Sequence, residues 1–389
     1  MKDRKILCLN QISPVGLERF RSGYTITENA DEAQGILVRS AEMKEYEFPK
    51  CLRAIARAGA GVNNIPLERC AEEGIVVFNT PGANANGVKE LVVAGLMLAS
   101  RDIAGGIEWI KNNADDPTVT KDAEKAKKAF AGTEIKGKKL GVIGLGAIGV
   151  MVANTAWQLG MDVYGYDPYI SVGAAWNLRT EIRHCETIEE VYETCDYITI
   201  HVPAMESTRG MINKEAIEKM KDGVYILNYA RDTLVDDDAM EQALESGKVA
   251  KYVMDFPNAK TVNMKNCIVT PHLGASTEES ENNCAIMAVE ELQDYLDNGN
   301  IKHSVNYPDL DAGMCKTESR IACLHENIPG MLSNITSTMG KENVNIANLY
   351  NKSREKFAYT LIDLDEKITD EALEALNGIK GMRRVRIVK

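Results

Sequence analysis

The stretch that decides the fold reads Gly141-Val142-Ile143-Gly144-Leu145-Gly146-Ala147-Ile148-Gly149. It places a Gly-x-Gly-x-x-Gly pattern directly after an apolar strand and at the start of a helix. Gly144 permits the tight turn, Gly146 lets the backbone approach a pyrophosphate, and Gly149 allows the helix to pack closely on the sheet. The first N–H groups of the helix have no partner within it and attract phosphate. The stretch therefore predicts a dinucleotide-binding turn.

A carboxylate at the end of the next strand distinguishes between the two nicotinamide dinucleotides. That strand ends at Tyr166-Asp167-Pro168. Asp167 can accept hydrogen bonds from both hydroxyl groups of the adenosine ribose, and its charge would repel a 2′-phosphate. The alternative is that Asp167 only caps a turn. We predict NAD rather than NADP as the cofactor.

Apolar runs alternate with helical patterns on both sides of the glycine turn. Before residue 100 the predicted strands are Lys5–Leu9, Gly35–Arg39, Leu52–Ala56 and Ile75–Phe78. After residue 138 they are Lys139–Ile143, Asp162–Tyr166, Asp196–Ile200, Val224–Asn228, Lys251–Met254 and Cys267–Thr270. Strands that alternate with helices favour parallel sheets. We predict an α/β protein with two Rossmann-like, doubly wound sheets.

The order of elements changes after a polar linker at residues 309–317. The predicted strands there are Arg320–His325, Val344–Tyr350, Phe357–Leu364 and Arg384–Val388. One helix follows Pro329-Gly330 and ends at Gly340, and a second helix is predicted at Asp370–Asn377. The order βαββαβ is that of a ferredoxin-like unit. We therefore expect a substrate-binding domain at 1–100 completed by a helix at 277–300, a nucleotide-binding domain at 101–276, and a third domain at 318–389.

The composition argues against several classes of protein. There are 45 Lys and Arg against 57 Asp and Glu, a formal net charge of −12, which disfavours a nucleic-acid-binding protein. No apolar run approaches the roughly 18 residues of a membrane span, and the start shows no signal-peptide pattern. The nine cysteines form no Cys-x-x-Cys pair, so we expect neither a metal site nor a disulfide framework. We expect a cytoplasmic protein.

Polar residues follow four consecutive predicted strands in the second series. They are His201, Arg231, Asp255 and His272. In open α/β sheets the carboxyl ends of the strands line the ligand crevice. A histidine there can accept a hydroxyl proton as a hydride leaves, and an arginine can bind a carboxylate by two parallel hydrogen bonds. A single histidine or arginine could be structural, but four such strand ends favour a catalytic site.

Several motifs resemble the D-isomer-specific 2-hydroxyacid dehydrogenase family. They are Pro271-His272-Leu273-Gly274-Ala275-Ser276-Thr277, Asn228-Tyr229-Ala230-Arg231 with Leu234-Val235-Asp236, and the glycine turn. Segments that resemble the branch acting on D-3-phosphoglycerate are Val38-Arg39-Ser40, residues 56–64 and Asn79-Thr80-Pro81-Gly82. The resemblance implies NAD-dependent oxidation of D-3-phosphoglycerate to 3-phosphooxypyruvate, the first step of L-serine biosynthesis.

The resemblance also implies roles for individual residues. Arg231 would bind the substrate carboxylate and the C2 oxygen, and His272 would be the acid/base. The backbone N–H groups of Gly61 and Val62 would bind the carboxylate, and the 3-phosphate end would be surrounded by Arg39, Ser40, Arg57 and Asn84. The cofactor would be bound by Gly144, Gly146, Ala147, Ile148, Gly149, Asp167, His201, Val202, Pro203, Ala230, Asp255 and Gly274. Arg57 could instead be a surface cation, and Ser40 a turn residue.

The C-terminal unit resembles an ACT amino-acid-binding domain. The motifs concerned are His325-Glu326-Asn327-Ile328-Pro329-Gly330 and Val344-Asn345-Ile346. The resemblance implies L-serine as an effector bound by His325, Asn327 and Asn345, in a homodimer or homotetramer. The alternative is that the domain serves assembly alone.

One departure from the family concerns the partner of the histidine. The family places a glutamate a few residues after the Asp255 position, whereas this chain reads Asp255-Phe256-Pro257-Asn258-Ala259-Lys260. Without that carboxylate the histidine is expected to be held less firmly in its orientation and charge state. The sequence names no replacement. Two alternatives therefore stay open: a dehydrogenase for another acid, such as hydroxypyruvate or glyoxylate, and a catalytically idle scaffold that senses NAD or an amino acid.

Overall fold

The computed structural model describes residues 3–389. In this range the strands are β1 (Arg4–Cys8), β2 (Tyr24–Thr27), β3 (Gly35–Val38), β4 (Ala54–Arg57), β5 (Val76–Phe78), β6 (Lys139–Ile143), β7 (Asp162–Tyr166), β8 (Arg183–His184), β9 (Tyr197–Ile200), β10 (Val224–Asn228), β11 (Val249–Met254), β12 (Cys267–Val269), β13 (Ser319–Glu326), β14 (Ile346–Arg354), β15 (Phe357–Leu364) and β16 (Met382–Ile387). The α-helices are α1 (Pro14–Leu17), α2 (Leu67–Glu72), α3 (Ala85–Ser100), α4 (Ile103–Asn112), α5 (Val119–Ala126), α6 (Ala147–Gln158), α7 (Val172–Asn177), α8 (Ile188–Thr194), α9 (Lys214–Lys219), α10 (Asp237–Ser246), α11 (Glu278–Asn298), α12 (Met331–Lys341) and α13 (Asp370–Asn377).

These strands form three sheets. A five-stranded sheet has the order β2-β1-β3-β4-β5, and a seven-stranded sheet has the order β12-β11-β10-β9-β6-β7-β8. Every strand pair in these two sheets is parallel. The third sheet, β14-β15-β13-β16, is antiparallel and has the element order βαββαβ. The predicted fold class is confirmed.

Two strands escaped the sequence analysis, and both lie at the edge of a sheet. Strand β2 has only four residues, none of them buried, and β8 has two residues that are both exposed. An edge strand is covered by fewer neighbours, so it does not need the apolar run that reveals a central strand.

The chain forms two compact units. One contains the described residues up to Asn84 together with Glu281–Lys389, and the other is Ala85–Ser280. The domain limits 1–100, 101–276 and 318–389 were assigned by the function expected of each segment, and they stay predictions.

One hydrophobic core of the first unit is shared by the five-stranded sheet, α11 and the antiparallel sheet. Its members include Ile6, Phe78, Tyr295, Leu296, Tyr359 and Leu361. The opposite face of the antiparallel sheet packs on α12 and α13 through a core that includes Ile321, Ile335 and Leu376. The antiparallel sheet is therefore covered on both faces, and one of these faces rests on α11.

Polar contacts reinforce the packing of the antiparallel sheet on α11. Arg320 forms a buried, two-pronged ion pair with Asp363, at 2.6 Å from Nε and 3.0 Å from Nη2. The same guanidinium donates to the carbonyl of Asn298 at 2.9 Å, and the Tyr359 hydroxyl donates to the carbonyl of Gly299 at 2.6 Å. The last carbonyl groups of a helix have no donor within the helix, so these side chains satisfy the end of α11.

The second unit has a core on each side of its seven-stranded sheet. Helices α3 and α6 cover one face, through residues such as Leu96 and Ala153, and α8, α9 and α10 cover the other. Helices α4 and α5 contain no buried residue. Among the described residues, no helix has both the length and the apolar character that crossing a bilayer requires.

The buried ion pair gives a stability prediction. We expect Arg320→Ala to lower the free energy of unfolding by about 3–5 kcal/mol, because it leaves the Asp363 carboxylate buried without its partner. Urea unfolding followed by circular dichroism measures this change. The matched control is Lys356→Ala, which removes the exposed pair between Lys356 and Glu68 and should leave the midpoint unchanged. A loss at Arg320 no larger than that of the control would contradict the prediction.

Candidate active site

The glycine turn joins β6 to α6 and combines two crowded positions with one open position. Gly144 has φ of +92°, and a Cβ added there would lie 2.8 Å from the carbonyl carbon of His201. A Cβ added to Gly149 would lie 1.9 Å from the carbonyl oxygen of Gly144. At Gly146, the N-cap of α6, nothing lies within 4 Å of an added Cβ. A pyrophosphate can therefore approach the backbone at Gly146 and the first N–H groups of α6, where Ala147 and Ile148 lie.

Asp167 is fixed beside this turn by two backbone groups. Its Oδ2 accepts the N–H of Leu145 and its Oδ1 accepts the N–H of Tyr169, both at 2.8 Å. Each carboxylate oxygen has a further lone pair. Asp167 thus caps a turn and can still accept ribose hydroxyl groups, so the two interpretations of this residue do not exclude each other.

His201 lies behind Gly144 at the end of β9. Its Nε2 is 2.9 Å from the hydroxyl of Thr199, and burial lowers the pKa of His201 to about 3. Its Nδ1 is buried and has no hydrogen-bond partner among residues 3–389. His201 is therefore neutral at physiological pH, with one ring nitrogen left over for a ligand. Val202 and Pro203 follow it in the same loop.

The buried side-chain amide of Asn228 fixes the backbone that follows β10. The Oδ1 of Asn228 accepts the N–H of Ala230 at 3.1 Å, and its Nδ2 donates to the carbonyl of Arg231 at 2.8 Å. Asn228 is fully buried and also contacts the hydroxyl of Tyr252. This network sets the path of the backbone that carries Arg231.

Asp255 holds the loop that carries His272. Its Oδ1 accepts the N–H of Leu273 at 2.8 Å and the Thr270 hydroxyl at 2.5 Å, and its Oδ2 accepts the N–H of Gly274 at 2.8 Å. Asp255 is only 2% exposed. The resemblance implied that Asp255 binds the cofactor, and the structure adds this positioning role. His272 itself has φ of +57°, a left-handed conformation that the fixed loop imposes on it.

Phe256 contacts both residues predicted to carry the chemistry. Its ring centroid is 4.8 Å from that of His272, and the guanidinium carbon of Arg231 lies 5.9 Å from the same ring. In residues 3–389 no carboxylate lies within ion-pair distance of the His272 ring. The loop after Phe256 turns away, because Asn258 donates to Asp237 and Lys260 pairs with Glu241. An aromatic ring thus lies beside the histidine in a chain that lacks the family's glutamate.

The first unit gathers the residues predicted for the phosphate end. The Oδ1 of Asn10 accepts three successive N–H groups, from Arg39, Ser40 and Ala41, at 2.9–3.1 Å. The Nε of Arg57 donates to the carbonyl of Arg39 at 3.1 Å. Since β3 and β4 are paired neighbours, the two arginines lie side by side at the carboxyl end of the five-stranded sheet.

Other groups of this sheet edge are available for a ligand. In the described part of the chain, the N–H groups of Gly61 and Val62 donate to no protein acceptor. Asn84 is the last residue of the turn at residues 81–84, just before α3. A side-chain carboxylate, Glu281, lies 2.8 Å from Arg39. No sequence pattern predicted a role in the site for Asn10, Asn228, Phe256 or Glu281. Asn10 and Asn228 could have been found, because each lies at the carboxyl end of a predicted strand.

The residues predicted to bind an effector do not converge within one chain. His325 is 2% exposed and its ring nitrogens contact Thr360 and the carbonyl of Glu326, both at 2.8 Å. Asn327 donates to Glu355 near the start of β15. Asn345 donates to Asp365, just past the other end of that eight-residue strand. At about 3.3 Å per residue, the two ends of the strand lie roughly 25 Å apart.

Comparisons with known proteins identify the family. Residues 93–274 match the model of the D-isomer specific 2-hydroxyacid dehydrogenase NAD-binding domain. The chain is 32% identical to the D-3-phosphoglycerate dehydrogenase of Escherichia coli, over 100% of this chain and 98% of that protein. It is also 32% identical to the same enzyme of Haemophilus influenzae, over 90% and 84% of the two chains.

A solved structure supports the same assignment. The NAD⁺-bound 3-phosphoglycerate dehydrogenase of Entamoeba histolytica superposes with a TM-score of 0.62 and 28% identity, covering 79% of this chain and 100% of that one. The second unit fits this cofactor, since it offers an open position at Gly146, a carboxylate at Asp167 and an unpaired nitrogen on His201. The chain belongs to the D-isomer-specific 2-hydroxyacid dehydrogenases, binds NAD, and is a homologue of the D-3-phosphoglycerate dehydrogenases.

Proposed function

We propose that this chain oxidises D-3-phosphoglycerate to 3-phosphooxypyruvate with NAD, as the first step of L-serine biosynthesis. The observation that carries the proposal is the pair of arginines, Arg39 and Arg57, at neighbouring strand ends. A chain with a net charge of −12 repels anions in general, so a dianionic substrate needs a local cationic site. Full-length similarity to enzymes with this name supports the same substrate.

The chemical step is assigned to the second unit. Arg231 would bind the substrate carboxylate and the C2 oxygen, which orients the C2 hydrogen. His272 would accept the proton of the C2 hydroxyl. NAD, when bound, supplies the acceptor for the hydride that leaves C2. Phe256 would keep the imidazole and the guanidinium in place, because its ring contacts both.

The remaining groups of the substrate are assigned to the first unit. The free N–H groups of Gly61 and Val62 would donate to the carboxylate. Arg39, Ser40, Arg57 and Asn84 would bind the phosphate, with the first three held in place by Asn10 and by the hydrogen bond between the two arginines.

We further infer that L-serine regulates the enzyme through the antiparallel sheet. Asn327 and Asn345 lie near opposite ends of β15. A single serine cannot reach both residues of one chain. A serine that contacts Asn327 of one copy and Asn345 of another would therefore bind between two copies of the sheet, in a homodimer or homotetramer. Such a ligand would act by favouring one arrangement of the oligomer. L-serine is expected to lower the rate of NADH formation from D-3-phosphoglycerate, and a rate that L-serine leaves unchanged would contradict this inference.

The catalytic part of the proposal predicts the effect of removing the histidine. We expect His272→Ala to lower the rate of NADH formation from D-3-phosphoglycerate by about 10²- to 10⁴-fold, because the C2 hydroxyl loses its proton acceptor. Absorbance at the NADH band measures the rate. The control is His184→Ala, which changes an exposed histidine of β8 and should leave the rate unaltered. If the wild-type chain forms no NADH from any D-2-hydroxy acid, the idle-scaffold alternative is favoured instead.

The substrate part makes a separate prediction. A D-2-hydroxy acid without a phosphate is the second candidate substrate, and the carboxylate of Glu281 beside Arg39 is the observation that favours it. We expect Arg57→Gln to lower kcat/KM for reduction of 3-phosphooxypyruvate by about tenfold or more, the equivalent of one charge-assisted hydrogen bond. Reduction of hydroxypyruvate should change little. Equal losses on the two substrates would show that Arg57 does not recognise the phosphate.

A further inference from the structure

Glu281 forms an ion pair with an arginine that the proposed function assigns to the phosphate. Its Oε1 lies 2.8 Å from the Nη1 of Arg39, and both side chains are partly exposed, at 45% and 40%. Glu281 belongs to the first turn of α11. The pair therefore joins the carboxyl end of β3 to the start of a long helix within the first unit.

The backbones of Arg39 and Glu281, the two partners of this ion pair, are both held in place. The backbone of Arg39 is held by Asn10 and by the guanidinium of Arg57. On the other side, Cys284, Ala285 and Ala288 follow Glu281 on the same face of α11 and are buried in the core. Only the two side chains have freedom to adjust, so the ion pair can open without any change of the backbone.

Direct contacts connect the two arginines and the carboxylate. The Nε of Arg57 donates to the carbonyl of Arg39 at 3.1 Å, and the Nη1 of Arg39 lies 2.8 Å from the Oε1 of Glu281. A phosphate bound to Arg39 and Arg57 would lie close to the negative charge of Glu281.

A phosphate dianion and a carboxylate compete for the same guanidinium. Each can accept two hydrogen bonds from an arginine, and the two anions repel each other when both are close to it. An acid without a phosphate does not enter this competition, because it places no charge there. Glu281 therefore acts on the phosphorylated class of substrate alone.

We propose, on the basis of the function proposed above, that Glu281 is a specificity-determining residue that occupies Arg39 until the phosphate of the substrate displaces it. The exchange makes binding of the phosphate end weaker than two arginines alone would give. It also leaves Arg39 paired after the product has departed. Glu281 in this way sets the affinity for phosphorylated acids and for inorganic phosphate.

The test uses Glu281→Gln in the full chain, with inorganic phosphate as the first probe. We expect the Kd for phosphate, measured by isothermal titration calorimetry at constant ionic strength, to fall about tenfold. The KM for D-3-phosphoglycerate should fall by a similar factor, whereas the KM for hydroxypyruvate should change less than twofold. The matched control is Glu279→Gln, which removes the same charge from the same turn of α11, where Glu279 is exposed, and should leave all three constants unaltered.

A double variant shows whether the effect passes through Arg39. In the Arg39→Gln background, Glu281→Gln should no longer tighten phosphate binding, because the guanidinium for which the carboxylate and the phosphate compete has been removed. If Glu281→Gln still lowers the Kd for phosphate in that background, or if Glu279→Gln lowers it equally, the effect comes from the change in net charge. Either result would overturn the proposal. Weaker phosphate binding in Glu281→Gln would also overturn it, since Glu281 would then support the site.

The two proposals fail separately. Tighter phosphate binding in Glu281→Gln without NADH formation from D-3-phosphoglycerate in any variant would support the role of Glu281 and contradict the proposed function. NADH formation with a Kd for phosphate that Glu281→Gln leaves unchanged would support the function and contradict the role of Glu281.

Discussion

All strands of a parallel sheet end at the same edge, and the candidate active site depends on this constraint. In the second unit that edge collects the glycine turn, Asp167, Arg231, Asp255 and His272 from distant parts of the sequence. Polar side chains then fix each loop by accepting its N–H groups. Asp167 does so for the turn after β6, Asn228 for the loop after β10, and Asp255 for the loop after β12. The positions proposed to be catalytic are fixed because side chains bond their loops to the sheet, and the same arrangement recurs at Asn10 in the first unit.

The absent glutamate gives this chain a different way of holding its histidine. In the family a carboxylate pairs with the imidazole. Here Asp255 fixes the loop that carries His272 by accepting its N–H groups, and the imidazole packs against Phe256. A carboxylate orients an imidazole and also favours its charged form, while an aromatic ring supplies packing alone. The orientation of His272 is therefore provided by the shape of its surroundings.

The sequence predicted the parts of the fold that depend on local pattern. Buried strands such as β6 and β10, the glycine turn and the βαββαβ order were all found, because each carries an apolar run, a turn residue or a fixed succession. Edge strands β2 and β8 were missed, since little of them is buried. Contacts between residues distant in sequence could not be predicted either. No local sequence pattern predicts the contact between Phe256 and His272 or the ion pair between Glu281 and Arg39. The same holds for the hydrogen bond from Arg320 to the end of α11. These contacts form only when the chain folds.

Hydride transfer from C2 of D-3-phosphoglycerate is proposed to take place at the edge of the seven-stranded sheet. Mass spectrometry of the reduced cofactor tests it most directly, after reaction of the wild-type chain with D-3-phosphoglycerate deuterated at C2. The account predicts that each NADH formed is one mass unit heavier than NADH from unlabelled substrate. Deuterium released to water, or no reduced cofactor at all, would contradict it.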